Sequence, residues 1–280
     1  MKPTCRLIAV DIDGTLLDTN GRITARVHEA LARAAAAGVT VVLATGRRYR
    51  TSRQIALEAG LDTYVLCQHG THIRRMSDNE LVWSATLESA TARGLVEVMR
   101  EEGHEPRIFF DGYERELDFV VVAAGDKPKD MFGYTGTAWR AVKEFYHPAG
   151  LGITEVASFG ARESLVSARD EMERRFDGSV SVHIINPPRE WYWCLEAISV
   201  KAGKGNALLA LAERLGIAQE ETAAVGDDVN DIDMIEKAGV GIAMGNAPDA
   251  IKELADIVVA DNRHDGLAEA VERLVDGKAT

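Results

Sequence analysis

Asp11-Ile12-Asp13-Gly14-Thr15 follows directly on the apolar run Leu7–Val10, and this junction decides how the chain is read. Four apolar residues bounded by a turn signal read as a buried strand. Two carboxylates two residues apart in extended chain aim to the same side, on a turn that Gly14 permits. Like charges held that close do not both stay ionised cheaply without a cation. The stretch is therefore a metal site, an acid–base pair or both, and a carboxylate there can also be a phosphate-accepting nucleophile. A strand that ends in a solvated Asp-Gly turn is the plain alternative.

Two more apolar runs end in polar, reactive residues. Val42-Leu43-Ala44 leads into Thr45-Gly46-Arg47, and Ala223-Ala224-Val225 leads into Gly226-Asp227-Asp228-Val229-Asn230-Asp231; between them Gly203-Lys204-Gly205 opens a helix. In open parallel sheets ligands bind at the carboxyl ends of strands, so three such ends in one chain point to one site. The set D-x-D-G-T, Thr, Lys and G-D-x-x-x-D, in this order, resembles the haloacid-dehalogenase (HAD) phosphohydrolase superfamily. Ala44-Thr45-Gly46-Arg47 and Gly226-Asp227-Asp228-Val229-Asn230-Asp231 are similar to its Cof-type branch.

The resemblance implies an α/β fold, a Rossmann-like parallel-sheet core with an inserted α+β cap. It implies a Mg²⁺-dependent phosphatase acting on a small phosphorylated metabolite, such as a sugar phosphate, through an aspartyl-phosphate. A sugar-phosphate mutase like the phosphomannomutases and a non-catalytic phosphate-binding regulator are the other two readings. A pure binder has no use for a proton donor such as Asp13, and the stereotyped Cof details favour hydrolysis. The chain departs from the branch where Gln68-His69-Gly70-Thr71 stands for the frequent Asn-Gly-Ala, which bears on substrate identity, and where Lys201-Ala202-Gly203 stands for Gly-Val-Ser.

Phosphate-ester hydrolysis needs a nucleophile, charge neutralisation and a proton for the leaving group. Asp11 is the expected nucleophile and Asp13 the general acid and base, assignments the resemblance also implies. Mg²⁺ takes oxygen ligands and keeps several waters; Asp11 and Asp227 would supply carboxylate oxygens, and the resemblance implies the Asp13 backbone carbonyl. Thr45 and Gly46 would bind phosphoryl oxygens by hydroxyl and amide, with Thr45 as a mere helix cap the alternative. Lys204 would clamp the phosphate, Asn230 would hydrogen-bond it, and Asp231 would orient Lys204 or support the metal. Arg47 would reach the substrate or the cap, or pair with an acid. Asp228 is expected to point away into solvent. His69 and His72 lack a third ligand in sequence reach and read as a polar loop.

Strands alternating with helices at both ends of the chain imply a parallel sheet. Helices are expected at 24–38, 48–59, 204–215, 231–238 and 264–275, and strands at 39–44, 64–67, 222–225, 241–244 and 257–260; 16–23, with Asn20-Gly21, suits a hairpin. Helical stretches at 88–102 and 163–176 lie among alternating segments at 119–123, 153–159 and 180–185. The expected division is a core of residues 1–85 and 191–280 and a cap of residues 86–190 that sets specificity. Candidate substrate-facing loops are Asp111-Gly112-Tyr113 and residues 186–189. Trp191-Tyr192-Trp193 reads as cap packing.

Composition narrows the partners. The chain has 280 residues, 46% hydrophobic and 27% charged, with a net charge of −12. An excess of negative charge argues against nucleic acid, whose phosphates need a basic face, and against anionic membranes. A small phosphate is still compatible, because a local Lys and a metal overcome a global charge. No apolar run nears the roughly 20 residues that span a bilayer. Cys5, Cys67 and Cys194 are odd in number and sit in apolar stretches, which suits reduced core thiols in the cytoplasm. A monomer or weak homodimer is expected.

Overall fold

The computed structural model describes residues 5–123, 138–185 and 193–277. From the N-terminus the elements are β1 (Leu7–Val10), α1 (Ala25–Ala36), β2 (Thr40–Ala44), α2 (Tyr49–Glu58), β3 (Tyr64–Cys67), β4 (His72–Arg75) and β5 (Leu81–Ser84). The next stretch holds α3 (Ser89–Glu101), β6 (Arg107–Phe110), β7 (Phe119–Val122), β8 (Trp139–Val142), β9 (Ile153–Gly160), α4 (Arg162–Arg175), β10 (Val180–Ile185) and β11 (Trp193–Ser199). The chain ends with α5 (Lys204–Leu215), β12 (Thr222–Gly226), α6 (Ile232–Lys237), β13 (Val240–Ala243), α7 (Asp249–Leu254), β14 (Ile257–Val258) and α8 (Gly266–Val275). Two compact units result, residues 1–83 with 203–280, and residues 84–202.

The first unit is built on an eight-stranded sheet in the order β14-β13-β12-β1-β2-β3-β4-β5. β1 is parallel to both neighbours, with Val10 opposite Val225 on one side and Leu43 on the other. All four residues of β1 are fully buried, as a central strand covered on both faces demands. Leu7 and Ala9 pack with Val42, Leu66 and Ala224 against Ala207, Leu208 and Leu211 of α5. Each such leucine contributes about 2 kcal/mol of burial free energy. The strand order reverses at β1, because the chain leaves it for β2 and later returns beside it as β12. A crevice forms at such a reversal, and Asp11 and Asp227 stand at its two lips.

β4 departs from the expected all-parallel core by pairing antiparallel with β3. Only Gln68–Thr71 separate the two strands, too short for the crossover that a parallel neighbour requires. At 16–23 the expected turn forms without a strand ladder, the Asp18 amide donating to Arg22 O and the Gly21 amide to Asp18 O, both at 2.9 Å. Asp18 Oδ1 accepts from the amides of Asn20 and Arg22 at 2.8 and 2.9 Å, and an isolated bridge joins Asp13 and Leu17. The helix and strand segments expected at both ends of the chain are present with shifted boundaries. α1 is capped by Thr24, whose hydroxyl accepts from the Val27 amide.

The second unit carries a six-stranded sheet in the order β10-β11-β9-β6-β7-β8, antiparallel throughout except between β7 and β8. Helices α3 and α4 cover one face, burying Leu95, Met99, Leu165 and Met172 against Ile108, Val156 and Leu195. This is the expected α+β insertion, but its second boundary lies at Ala202, beyond the expected 190/191. β11 is the reason. It pairs with β10 on one edge and β9 on the other, so the segment expected to reopen the core is an interior strand of the other sheet. Asp111-Gly112-Tyr113 follows β6. Residues 186–189, Trp191 and Tyr192 lie outside the described residues, whereas Trp193 opens β11 with the Arg162 guanidinium 5.3 Å above its ring. All three cysteines are buried. Among the described residues no helix is long and apolar enough to cross a membrane.

Candidate active site

Asp11 leaves β1 with its amide still bonded to the Val225 carbonyl at 3.0 Å, so the β1–β12 ladder carries it one residue past the strand. There it is 5% exposed. Lys204, at the start of α5, has a side chain with no solvent exposure, and its Nζ donates to Asp11 Oδ1 and to Asp231 Oδ1, both at 2.6 Å. Asn230 Oδ1 is farther, at 3.5 Å. Asp231 is also fully buried. Its Oδ2 accepts from the amides of Asp227 and Asp228 at 2.9 and 3.0 Å. Asp231 thus orients both the lysine and the loop that carries Asp227, the first of its two expected roles. Asp228 is exposed, as expected, and caps the Val229 amide.

Oxygens of Asp11, Asp227 and Asp231 lie within 4.8 Å of one another. Three carboxylates share one ammonium, so the cluster holds surplus negative charge in a buried place. Burial pushes the Asp11 carboxyl up to about 8, with Asp231 adding to the rise and Lys204 opposing it. Burial likewise pushes Asp227 up to about 6, against the hydrogen bond from Thr15. Lys204 would be lowered by burial, but Asp11 and Asp231 hold it above its ordinary value. Hard oxygen donors with uncompensated charge suit a divalent cation such as Mg²⁺, Mn²⁺ or Ca²⁺. Asp231 is fully buried and already takes three donors, the Lys204 ammonium and the amides of Asp227 and Asp228, so Asp11 and Asp227 are the better placed carboxylates to hold a metal ion. His69 lies in the turn of residues 68–70, whereas His72 opens β4 and is buried, so the expected polar loop holds for His69 and not for His72.

Asp13 is the exposed member, with 59% of its side chain in solvent. Arg47 holds it in a two-point grip, Nε to Oδ2 at 2.7 Å and Nη2 to Oδ1 at 2.5 Å. Arg47 is thus paired with an acid, one of the roles open to it. Thr45 is buried, and its hydroxyl accepts from the Arg47 amide at 3.1 Å, which leaves its proton to donate. Gly46 lies under the His69 ring, where an added Cβ would come within 2.6 Å of the imidazole.

Two local features explain why these loops stay together. Gly14 has φ +90°, and a Cβ there would strike the Asp227 carboxylate at 2.2 Å, so the glycine is what lets the two loops meet. Gln68, His69 and Gly70 all have positive φ, at 45°, 56° and 77°. This strained turn is stitched to the Thr45 loop, since the Gln68 amide donates to Arg47 O at 2.9 Å and the His69 amide to Thr45 O at 3.0 Å. Its other side abuts the base of Lys204, because a Cβ on Gly70 would lie 2.2 Å from Gly203 O and 2.8 Å from Lys204 N. Gly70→Ala is therefore expected to cost about 1–3 kcal/mol in backbone strain and to displace Lys204. Thermal unfolding and turnover of the variant check this; an unchanged melting temperature would contradict it.

Thr15 and Asn246 belong to the site although neither carried an expected site role. Thr15 Oγ1 donates to Asp227 Oδ1 at 2.8 Å, and Asn246 Nδ2 to Asp227 Oδ2 at 2.9 Å. Thr15 was legible as the last residue of the opening motif. Asn246 follows β13, a further strand end beside β12, and its short Met-Gly-Asn sequence carries no charge to announce it.

Comparison with known proteins agrees with this geometry. The profile of a family described as haloacid dehalogenase-like hydrolase matches residues 8–271. The chain is 29% identical to the pyridoxal phosphate phosphatase YbhA of Escherichia coli, over 96% of this chain and 98% of that protein. It is 28% identical to the 5-amino-6-(5-phospho-D-ribitylamino)uracil phosphatase YcsE of Bacillus subtilis, over 96% of each. A haloacid dehalogenase-like hydrolase of Bacteroides thetaiotaomicron has a similar structure, with a TM-score of 0.78 at 27% identity over 96% of this chain and 99% of that one. With a family match over nearly the whole chain and phosphatases among its relatives, the chain belongs to the haloacid dehalogenase-like hydrolases, as a phosphatase of the Cof-type branch.

Proposed function

We propose that the protein hydrolyses a small organic phosphate monoester in two half-reactions, with Asp11 as nucleophile and Asp13 as proton carrier. The observation that carries this reading is the buried Lys204 between Asp11 and Asp231 at 2.6 Å each, with Asp227 beside them. Lys204 pins one oxygen of Asp11 and leaves the other to attack phosphorus. In the first half-reaction the Asp11 oxygen–phosphorus bond forms and the ester oxygen–phosphorus bond breaks, while Asp13 gives its proton to the leaving oxygen. In the second, the Asp13 carboxylate takes a proton from water, whose oxygen displaces Asp11 from phosphorus and releases inorganic phosphate. Arg47 keeps Asp13 extended and orders it for both transfers. Thr45, through its hydroxyl, and Gly46, through its amide, hold phosphoryl oxygens, with Asn230 at the rim.

Asp11, Asp227 and the Asp13 backbone carbonyl are the residues that would hold Mg²⁺. When bound, the ion would neutralise phosphoryl charge and offset the surplus carboxylates. Substrate selection we assign to the unit of residues 84–202, inserted between the Thr45 strand and the Lys204 helix. The substrate class is a small phosphorylated metabolite. Relatives named for a pyridoxal phosphate and for a ribitylaminouracil phosphate support that breadth.

The test is hydrolysis of an aryl phosphate with and without Mg²⁺: turnover that stops in excess chelator and returns with Mg²⁺ is expected, and undiminished turnover in chelator would sink the metal reading. The carboxyl shifts add a pH signature. Mg²⁺ must displace the protons held on Asp227 below about 6 and on Asp11 below about 8. Its affinity should therefore rise with pH across that window and level off above it, with protons released on binding. Calorimetry in buffers of different ionisation enthalpy measures both; an affinity flat from pH 5 to 9 is the contrary outcome.

A further inference from the structure

We infer that Asn246 is a positioning residue for the metal half of the site, fixing the plane of the Asp227 carboxylate and tying it to the Asp13-Gly14-Thr15 turn. This rests on the proposed reading that Asp227 holds Mg²⁺. A carboxylate turns freely about its last bond unless both oxygens are held. Thr15 holds Oδ1 at 2.8 Å and Asn246 holds Oδ2 at 2.9 Å. The same Asn246 amide nitrogen also donates to Gly14 O at 3.0 Å, so one NH₂ group bridges the loops after β1 and β12.

The orientation of the Asn246 amide is settled by its surroundings. Its nitrogen faces two acceptors, and its oxygen accepts from the Asn262 amide at 3.0 Å; a flipped amide would set oxygen against oxygen twice. Asn262 is anchored in turn, with Nδ2 donating to Leu17 O at 2.9 Å. The path Leu17–Asn262–Asn246–Gly14 thus returns to the loop it began from, with Asp227 tied in through the same Asn246 nitrogen. Asn246 is exposed, and ordering an exposed side chain costs entropy that one solvated hydrogen bond does not offset. Three bonds on one small side chain, two of them at the site, give it a rigid geometry.

The consequence is pre-organisation. Without the clamp, repulsion from Asp231 and Asp228 and free rotation would turn Asp227 away from the position that faces Asp11. Residues that orient a metal ligand typically carry 10–100-fold in metal affinity. Asn246→Ala removes the clamp without emptying buried space, so the fold should persist.

Metal-free wild type, Asn246→Ala and Asn262→Ala are titrated with MgCl₂ by calorimetry, and turnover of an aryl phosphate is followed as a function of Mg²⁺. Asn246→Ala should bind Mg²⁺ about 10–100-fold more weakly and recover most of the wild-type turnover number when Mg²⁺ saturates. Asn262→Ala, which keeps both Asn246 donors and loses only their support, should show a smaller shift in the same direction, and it carries the test if the first variant does not fold. Wild-type affinity in both variants overturns the inference while leaving the metal reading intact. So does turnover that stays low at saturating Mg²⁺ with affinity unchanged, because that is a structural defect. No Mg²⁺ uptake by wild type overturns the metal reading and this inference with it.

Discussion

Asp11→Asn should abolish turnover, by about four orders of magnitude or more, in a protein that stays folded. The amide is nearly the same size but is too poor a nucleophile to attack phosphorus. The fold should tolerate the change because Lys204 keeps Asp231 as its counter-ion at 2.6 Å. Stability has a predictable sign as well. Asp11 has a carboxyl pushed up to about 8 by burial and by Asp231, so the folded state prefers it neutral. A carboxyl raised in this way stabilises the metal-free fold at low pH and loses that contribution as pH rises through about 8. Above that pH, without metal, the Asn variant should resist urea at least as well as wild type. Beryllofluoride should form its adduct on Asp11 in wild type. Substantial turnover by Asp11→Asn, or an adduct on another residue, would remove Asp11 from the nucleophile's role.

Lys204→Met should be the most destabilising single change in the core. Breaking a buried ion pair by removing one partner costs about 3–5 kcal/mol, and here one removal strands both Asp11 and Asp231. Turnover should vanish too, because nothing then orients Asp11. The penalty should grow with pH as the stranded Asp11 carboxyl, raised by burial, ionises. It should also be non-additive: Lys204→Met with Asp11→Asn leaves one stranded carboxylate instead of two and should be more stable than Lys204→Met alone. Urea denaturation of the three variants in the absence of metal measures this. Strictly additive effects would mean that the 2.6 Å contacts do not carry the energy assigned to them.

Much of this site was legible in the residues because its chemistry is written in runs that end strands. Leu7–Val10 reads as a buried strand, and in a parallel sheet whatever follows such a strand is presented at a ligand-binding edge. Asp11, Thr45 and Asp227 could be found for that reason. Lys204 was legible from the glycines on either side, and the glycine turn at Gly70 packed on its backbone explains why bulk is unwelcome there. Boundaries were read less well. β4 and β11 depend on pairings with β3 and with β9 and β10, and a strand partner far along the chain leaves no local pattern. The segment at 16–23 has the turn residues of a hairpin and closes on itself through the backbone and the carboxylate of Asp18, but no strand ladder extends from it.

What the amino-acid sequence by itself determined is therefore the local and periodic part: which runs are strands, which helices start at Thr24 or stop at Gly216, and which polar residues stand at strand ends. Those features are set by backbone sterics and by apolar spacing within a few residues. Only the tertiary structure decided that Arg47 grips Asp13, that Lys204 divides itself between Asp11 and Asp231, and that Asn246 and Thr15 hold the two oxygens of Asp227. Each of these is a pairing between groups 19 to 212 positions apart, and the choice among acceptors turns on distances of a few tenths of an ångström. Hydrogen bonds and ion pairs are short-ranged and directional, so their partners are settled when the sheet closes and the strand ends meet.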